Sequence, residues 1–426
     1  YDAVCTPDFF GFDADLGLQY RGRLDASKVQ PVPNAGDRFQ TGSFLTVRNG
    51  DLIMLGGFIS ETRSTSKGGV PFLKDIPGLG ALFRNSNRRN SLDDTLIFIT
   101  VAFFKPDDGL AALAPLLAGQ MLAKLVPALA AGCTVVVKSP PQTPWISAAL
   151  GRLVAEHTDV PAGVVNFLNS ATPDAGAALV TDPRVDMVSF TGSTPTGRHI
   201  MRAASDTVKK VFLELGGKSA FIVLDDAELE LAAMFAGFTI CSHAGQGCAI
   251  TTRLLVPEAK LSEAVDLVAA TMAGVPYGDP SDPGMLMGPL ISAAQRDKVD
   301  GYVQAAVADG AKVATGGGRP DHLPDGFFYQ PTLLVDVDPQ AAVAQEEIFG
   351  PVLVVLPYRD DDDAVAIAND SIFGLSGAVY GSDPERATDL ARRLRVGTVS
   401  VNGGMYYGAD APFGGYKQSG IGREMG

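Results

Sequence analysis

The chain has 426 residues, enough for two or three domains, and its 46% hydrophobic and 19% charged residues exclude a disordered protein. Its net charge of −14 excludes nucleic acid as an expected partner, because phosphate binding requires a basic surface. The charge is uneven, since residues 1–109 have 12 Lys+Arg and 13 Asp+Glu, whereas residues 110–426 have 22 and 35. This change near residue 110 indicates that two parts of different character are joined there.

Short apolar runs bounded by glycine and polar residues predict β-strands in the first part. DLIML at 51–55 and TLIFITV at 95–101 are such runs. Between them, residues 70–83 read VPFLKDIPGLGALF, where prolines and glycines exclude a regular helix. We therefore expect residues 1–109 to be β-rich, with a tight connector between strands.

Residues 40–106 resemble the secretins, the multimeric outer-membrane channels of bacterial secretion systems. The resemblance rests on VPFLKDIPGLGALF and on NGDLIMLGGFI before it, with Lys74 where the family usually has glycine. It implies an outer-membrane location for this segment in its own family. A secretin wall is a closed barrel built from the strands of many subunits, so a segment this short is expected to be only a fragment of one. A generic β-rich segment is the alternative.

Residues 110–137 are nearly all apolar, with Lys124 as their one charge. Their length would allow a membrane span, but Pro115 and Pro127 interrupt the run. TVVVK at 134–138 is typical of a buried parallel strand that follows a helix. We therefore expect a buried helix–strand unit and no membrane contact for this part.

The next hundred residues alternate between predicted helices and strands. Thr143 before Pro144 is a helix-start signal, and a helix near 175–180 separates strands at 164–168 and 187–191. Strands separated by helices predict parallel β-α-β units with right-handed crossovers. This alternation is typical of an α/β dinucleotide-binding domain.

FTGSTPTG at 190–197 is the loop predicted to contact a cofactor. A strand ends at Thr191 and a helix begins near Thr194. Backbone N–H groups at a helix start, beside the small residues Gly192 and Ser193, suit a pyrophosphate. The loop is not a GxGxxG motif and is weak support when taken alone.

Residues 212–248 pair a carboxylate with a thiol. Glu214 lies in LELGGKS, where two glycines let the backbone pass close to another group, and Cys248 ends the turn GQGC. Taken singly, Glu214 would be a solvated strand end and Cys248 a packing residue. Cys241, His243 and Cys248 fit no common zinc spacing, so no metal is predicted.

Four motifs in this order resemble the aldehyde dehydrogenase superfamily over roughly residues 110–426. They are LELGGKS at 213–219, GQGC at 245–248, EEIFGP at 346–351 and PFGGYKQSGIGRE at 412–424. The resemblance implies an α/β fold, with an incomplete doubly wound cofactor domain at 110–216 and an α/β catalytic domain at 217–426. Residues 1–109 would form a separate secretin-like domain before them.

The resemblance also implies roles for individual residues. Cys248 stands at the position of the nucleophile and Glu214 at that of the general base. The residues implied to contact NAD or NADP are Lys138, Gly192, Ser193, Gly197, Leu215, Glu347 and Phe349. Many NAD-preferring members have a glutamate where this chain has Pro141, so both cofactors remain open.

Two departures from the family pattern bear on activity and assembly. Members have a strand and a Trp-Asn loop before this region, whose amide helps to hold the oxyanion, but residues 113–116 read LAPL. Members form homo-oligomers through a further strand beyond the position of Gly426, so that assembly is not expected in complete form here.

The function expected from these observations is NAD(P)-dependent oxidation of an aldehyde to a carboxylic acid, impaired by the missing first strands. The alternatives are a fragment of a secretion channel and a non-functional chimera of two coding sequences. The four cysteines form no CxxC pair, and no signal peptide precedes them, so a cytoplasmic location is expected for the enzyme part.

Overall fold

A computed structural model of the chain describes six short strands before residue 100, and then residues 114–403 and 410–425, with side chains from residue 119 onward. The described residues form two compact units. The first contains the strands before residue 104 together with 115–135 and 161–164, and the second contains 136–160 and 165–426.

The first unit contains antiparallel strands. They are β1 (Pro7–Phe12), β2 (Leu18–Arg23), β3 (Leu55–Phe58), β4 (Thr65–Gly69), β5 (Arg84–Arg88) and β6 (Leu96–Ile99). β2-β1-β3-β6 form one sheet and β4 pairs with β5. β6 lies within the predicted strand at 95–101, while the predicted connector at 70–83 lies outside the described residues. The unit also contains most of helix α1 (Ala114–Ala130).

Helices and strands alternate through the rest of the chain. The helices are α2 (Pro144–His157), α3 (Asp174–Thr181), α4 (Thr194–Ala204), α5 (Leu229–Cys241), α6 (Leu261–Ala273), α7 (Ala293–Ala308), α8 (Ala342–Gln345), α9 (Asp361–Asn369) and α10 (Pro384–Arg392). The strands are β7 (Val135–Lys138), β8 (Val165–Leu168), β9 (Met187–Thr191), β10 (Lys210–Glu214), β11 (Ser219–Val223), β12 (Thr251–Pro257), β13 (Lys312–Thr315), β14 (Thr332–Val335), β15 (Val352–Tyr358), β16 (Phe373–Gly374), β17 (Ser376–Tyr380), β18 (Thr398–Val401), β19 (Tyr416–Lys417) and β20 (Gly420–Ile421). In the part of the chain that the structure describes, no helix is long and apolar enough to cross a membrane.

The largest core surrounds a seven-stranded sheet of order β13-β14-β15-β12-β11-β17-β18. The central strands β11, β12 and β15 are parallel and nearly all of their residues are buried. Runs such as FIV in β11 and LVVL in β15 suit this position, because a parallel strand is covered by helices on both faces. This sheet carries the elements that deliver Cys248.

Residues 135–214 contribute strands to two separate sheets. β7 pairs with β8, and β9 pairs with β10, to which β20 adds antiparallel. β9 begins and ends at the predicted residues, but the prediction that 134–138 is buried was wrong, since Val136 is 48% exposed. A strand becomes buried only when its neighbours cover it, and among the described residues β8 is the one strand beside β7.

The acidic run at 360–363 forms the start of helix α9. Asp360 caps α9, because its side chain accepts a hydrogen bond from the Asp363 backbone N–H at 2.9 Å. The remaining acidic side chains of the run fall in the first turn of α9, where they interact favourably with the helix dipole. Four consecutive aspartates thus start a helix.

Candidate active site

The turn that carries Cys248 has an unusual backbone. His243, Ala244 and Gly245 all have positive φ, at 51°, 53° and 69°. Left-handed conformations of residues other than glycine cost about 1–2 kcal/mol each, so tertiary contacts must hold this turn. Gln246 supplies one of them, since its Oε1 accepts a hydrogen bond from the Ile291 N–H at 3.0 Å, and its side-chain amide also donates to the His243 carbonyl within the turn. The thiol is therefore presented by a strained, braced turn.

Substitution of Gly245 by alanine is expected to destabilise the protein by about 2–4 kcal/mol. Alanine at this position would have to adopt a left-handed backbone conformation, and its Cβ would overlap the Gly350 carbonyl. Gly301→Ala is the matched control, because Gly301 lies in α7 and, apart from its chain neighbours and the nearby backbone of its own helix, no atom of the described residues lies within 4 Å of the place its Cβ would take. That control is expected to stabilise by about 0.5–1 kcal/mol. Denaturant unfolding of both variants tests this, and equal midpoints would contradict it.

Glu214 and Cys248 converge on one loop. Glu214 ends β10 with a buried side chain, and its Oε1 lies 2.9 Å from the position that a Cβ on Gly414 would take. Cys248 packs against a small cluster that contains Phe413. Since Phe413 and Gly414 are consecutive, the carboxylate and the thiol lie on the same side of the protein, around the PFGG loop.

The two glycines of LELGGKS, Gly216 and Gly217, contact Glu347 and the Cys248 turn. A Cβ on Gly217 would be 2.5 Å from the Cys248 carbonyl oxygen, and one on Gly216 would overlap the Glu347 carboxylate. The Gly217 N–H donates to Glu347 Oε1 at 3.3 Å. Both positions therefore require glycine because the nucleophile turn and the Glu347 side chain approach the backbone closely.

The pKa of the Cys248 thiol is raised to about 12. Burial among protein atoms is the main cause, and the nearby carboxylates of Glu347 and Glu214 add to it, although the side chain keeps some exposure. Burial likewise raises the pKa of Glu347 above its usual range. Cys248 is therefore a neutral thiol at physiological pH.

Alkylation of Cys248 by iodoacetamide is expected to accelerate about tenfold per pH unit between about pH 7 and 10, because only the thiolate reacts and its pKa is raised. Cys241 has a similarly raised pKa but is 2% exposed, so it is expected to react only after unfolding. Peptide mass spectrometry distinguishes the two thiols. A Cys248 rate that levels off below about pH 8 would contradict the prediction.

The predicted phosphate loop lies at the start of α4. Ser193 is the N-cap, and its side chain accepts from the Thr196 N–H. Gly192 is exposed, but its N–H donates to the Glu214 carbonyl at 3.0 Å, and a Cβ there would overlap the Phe190 ring. The helix N-terminus with its small, exposed residues fits a pyrophosphate, which would be met by the helix start rather than by the Gly192 N–H.

The structure places Gly197 and Leu215 against each other. Both are buried, and a Cβ on Gly197 would be 2.6 Å from Leu215 Cδ1. The Leu215 N–H donates to the Ser419 carbonyl at 2.8 Å. The contact between these two residues packs α4 against the end of β10 and so holds the helix that follows the predicted phosphate loop.

Lys138 and Phe349 are the two remaining residues predicted to contact the cofactor. Lys138 ends β7, half-buried, with its Cδ near Gly176 of α3. Phe349 is half-buried with a positive φ of 61°, a rare conformation for a bulky residue, and its carbonyl accepts from Gln295 Nε2 at 2.8 Å.

Two buried serines support the site, Ser419 within the motif at 412–424 and Ser376 outside all four motifs. Ser419 Oγ donates to the Gly216 carbonyl at 2.7 Å and accepts from the Gly374 N–H at 2.9 Å. Ser376 Oγ donates to the carbonyl of Ala249, the residue after the nucleophile, at 2.6 Å. Sequence reasoning missed Ser376, because a serine in a buried strand has no distinguishing pattern.

Two basic residues hold the carboxyl-terminal end of α9. The Arg253 guanidinium donates to the carbonyls of Ile367 and Ala368 at 2.9 and 2.8 Å, and Lys417 Nζ donates to that of Asn369 at 2.8 Å. Cations at this end of a helix compensate both its unpaired carbonyls and its dipole. Arg253 follows the turn that carries Cys248 and Lys417 follows the PFGG loop, so α9 anchors both.

Within the described ranges, no group of three or more His, Cys, Asp or Glu side chains could hold a metal.

Comparison with known proteins identifies the family. The family model described as "Aldehyde dehydrogenase family" matches residues 115–426, and one described as "Bacterial type II and III secretion system protein" matches residues 23–104. A 3-succinoylsemialdehyde-pyridine dehydrogenase from a Pseudomonas species is 48% identical over 308 residues, which are 72% of this chain and 64% of that protein. Betaine aldehyde dehydrogenase from Bacillus subtilis is 43% identical over 305 residues, which are 71% of this chain and 62% of that protein. The chain belongs to the aldehyde dehydrogenase family and spans less than two thirds of these relatives.

Solved structures agree with the fold. Betaine aldehyde dehydrogenase from Staphylococcus aureus in complex with NAD+ is 40% identical with a TM-score of 0.71, and the match covers 72% of this chain and 61% of that one. An aldehyde dehydrogenase from Pseudomonas syringae, solved with NAD+ and octanal, is 41% identical with a TM-score of 0.70, covering 72% and 63%. The predicted α/β fold of the aldehyde dehydrogenase type is confirmed.

Proposed function

We propose that residues 110–426 bind NAD or NADP and oxidise an aldehyde to a carboxylic acid. The observation that carries this proposal is the convergence of Cys248, Glu214 and Glu347 around Gly216 and Gly217. A nucleophilic thiol beside a buried carboxylate, next to a second carboxylate suited to a ribose, is the set of groups this reaction needs. NAD or NADP, when bound, supplies the hydride acceptor.

The chain's own residues perform the remaining chemistry. Cys248 gives up its thiol proton to solvent as its Sγ forms a bond to the aldehyde carbon, and the carbonyl oxygen becomes an oxyanion beside the Cys248 N–H. NAD or NADP, when bound, would take the hydride that this carbon loses, which leaves a thioester. Glu214 then takes a proton from a water molecule, whose oxygen attacks the thioester carbon. The Cys248 thiolate leaves that carbon and regains a proton from Glu214, and the carboxylic acid departs.

We propose that the chain oxidises aldehydes slowly. The sequence LAPL stands at 113–116, where the family has its amide donor. The Cys248 backbone N–H is then the donor to the oxyanion. Loss of one donor typically lowers turnover by about 10²–10³. The enzyme is therefore proposed to be slow rather than inert.

The test follows reduced nicotinamide by its absorbance in the presence of NAD or NADP with betaine aldehyde, succinic semialdehyde, octanal or benzaldehyde. The first and third aldehydes are chosen from the names of the relatives. We expect slow, aldehyde-dependent formation with at least one pair, and equimolar carboxylate by chromatography. Absence of product with every pair, from protein whose circular dichroism shows it to be folded, would reject the proposal.

We propose separately that residues 23–104 derive from a secretin and do not form a channel. The family match to this segment and the change in charge near residue 110 support a join of two sequences. The domain limits 1–109, 110–216 and 217–426, a cytoplasmic location for the enzyme part and incomplete homo-oligomer formation belong to the same proposal. Detergent-resistant multimers on electrophoresis would instead favour a channel.

A further inference from the structure

Ser376 is a buried polar residue beside the turn that carries Cys248. It begins β17 and is 3% exposed. Its Oγ lies 2.6 Å from the carbonyl oxygen of Ala249 and 3.0 Å from Ser219 Oγ. A hydroxyl has one proton to donate, and the nearer acceptor, the Ala249 carbonyl, receives it. Because a buried hydroxyl costs free energy unless it is hydrogen-bonded, this contact holds both of its partners in place.

Ala249 belongs to the immediate surroundings of the reactive sulfur. The backbone N–H groups of Cys248 and Ala249 act on the Cys248 thiol as hydrogen-bond donors, and each lowers its pKa. Burial and the carboxylates of Glu347 and Glu214 raise the same pKa and prevail. The two N–H groups therefore oppose the effects that keep the thiol protonated, since a hydrogen bond to the charged form favours that form.

Ser376 holds the chain directly after Cys248. Within the turn itself, the Ile250 N–H donates to the Gly247 carbonyl at 3.3 Å, which is a long hydrogen bond. The bond from Ser376 is shorter, and it joins the turn to β17 in the seven-stranded sheet. The N–H and the carbonyl of Ala249 are separated by only two soft dihedral angles, so a fixed carbonyl also restricts the direction of the N–H.

We propose that Ser376 is a positioning residue for Cys248, which keeps the Cys248 and Ala249 N–H groups directed at the sulfur by holding the Ala249 carbonyl. Donors fixed in this way stabilise negative charge on the sulfur without reorganisation, and so make the thiol more reactive. Ser376 acts through Ala249 and is not proposed to contact the aldehyde or the cofactor. The inference rests on the proposed role of Cys248 as the nucleophile, but the reactivity of the thiol can be measured without either ligand.

Alkylation of Cys248 by iodoacetamide, followed by peptide mass spectrometry, tests the proposal. In Ser376→Ala the rate is expected to fall about threefold to tenfold at each pH between about 7 and 10, because a misdirected N–H no longer stabilises the thiolate. A serine that only held the fold together would give the opposite sign, since a loosened turn exposes the thiol and accelerates its alkylation. An equal or faster rate in the folded variant would overturn the proposal.

Ser147→Ala is the matched control. Ser147 is 0% exposed on α2, and its Oγ donates to the Pro144 carbonyl at 2.9 Å, so this change also removes a buried hydroxyl. It is expected to leave the alkylation rate of Cys248 unchanged. A similar fall in both variants would show that loss of any buried hydroxyl slows the reaction, and would refute a specific role for Ser376.

A second pair of variants keeps the test valid if Ser376→Ala does not fold. Ser376→Thr and Ser376→Val have side chains of nearly the same shape, but only threonine keeps the hydroxyl. The valine variant is expected to be alkylated about threefold to tenfold more slowly than the threonine variant. Equal rates in this pair would contradict the proposal.

The result is separable from that of the proposed function. If the chain oxidises no aldehyde but Ser376→Ala slows alkylation, this inference stands and the proposed function is rejected. If the chain is active and Ser376→Ala keeps its alkylation rate, the reverse holds. In an active chain, kcat is expected to fall about threefold to tenfold in Ser376→Ala while the KM for the cofactor stays unchanged, because the bond lies at the nucleophile.

Discussion

Replacement of Cys248 by alanine is expected to lower aldehyde-dependent formation of reduced nicotinamide by about 10⁴-fold or more, because the covalent step then has no nucleophile. The substitution removes one sulfur atom beside Phe413 and leaves the braced turn in place. Binding of the cofactor, followed by quenching of protein fluorescence, should therefore change little. Turnover is measured at saturating aldehyde.

Cys241→Ala is the matched control for this experiment. Cys241 ends α5, is buried and belongs to the main core, so its loss is expected to cost about 1 kcal/mol of stability without changing turnover. If both alanine variants kept activity within tenfold of the unaltered chain, the assignment of the nucleophile would be wrong.

Replacement of Glu214 by glutamine is expected to separate the two halves of the reaction. Glutamine has the size of glutamate and fits the buried site beside Gly414, but it cannot take the proton from water. Steady-state turnover is expected to fall by about 10²–10⁴-fold. Rapid mixing should still show a burst of one reduced nicotinamide per active site, because formation of the thioester precedes the step that needs the base.

Glu228→Gln is the charge-matched control, since Glu228 is exposed before α5 and lies outside the four motifs of the site. It should retain full steady-state turnover. Loss of the burst together with the steady rate in Glu214→Gln would place Glu214 in an earlier step and contradict its role in hydrolysis.

Helices and strands were predictable from the sequence where the local pattern of apolar and polar residues determines them. β9 begins and ends at the residues predicted, because a short apolar run between polar turns is enough to define a strand. Thr143 before Pro144 also predicted a helix start correctly, since Thr143 is the N-cap of α2.

The site was predictable only in part. Cys248 and Glu214 were singled out by their motifs, and their convergence required the PFGG loop, which no local pattern connects to them. The left-handed residues His243, Ala244 and Phe349 were not predictable, because only glycine and asparagine signal positive φ by residue type. The exposure of Val136 was missed for a different reason, since burial depends on neighbours that a single strand does not specify.

The attachment of Arg253 and Lys417 to the end of α9 has a consequence for how the protein unfolds. One helix end holds both the segment after Cys248 and the segment after the PFGG loop. Melting of that end releases both segments at the same moment, since both basic side chains lose their carbonyl partners together. Thermal inactivation should therefore share a single midpoint with loss of the helical signal, instead of preceding it.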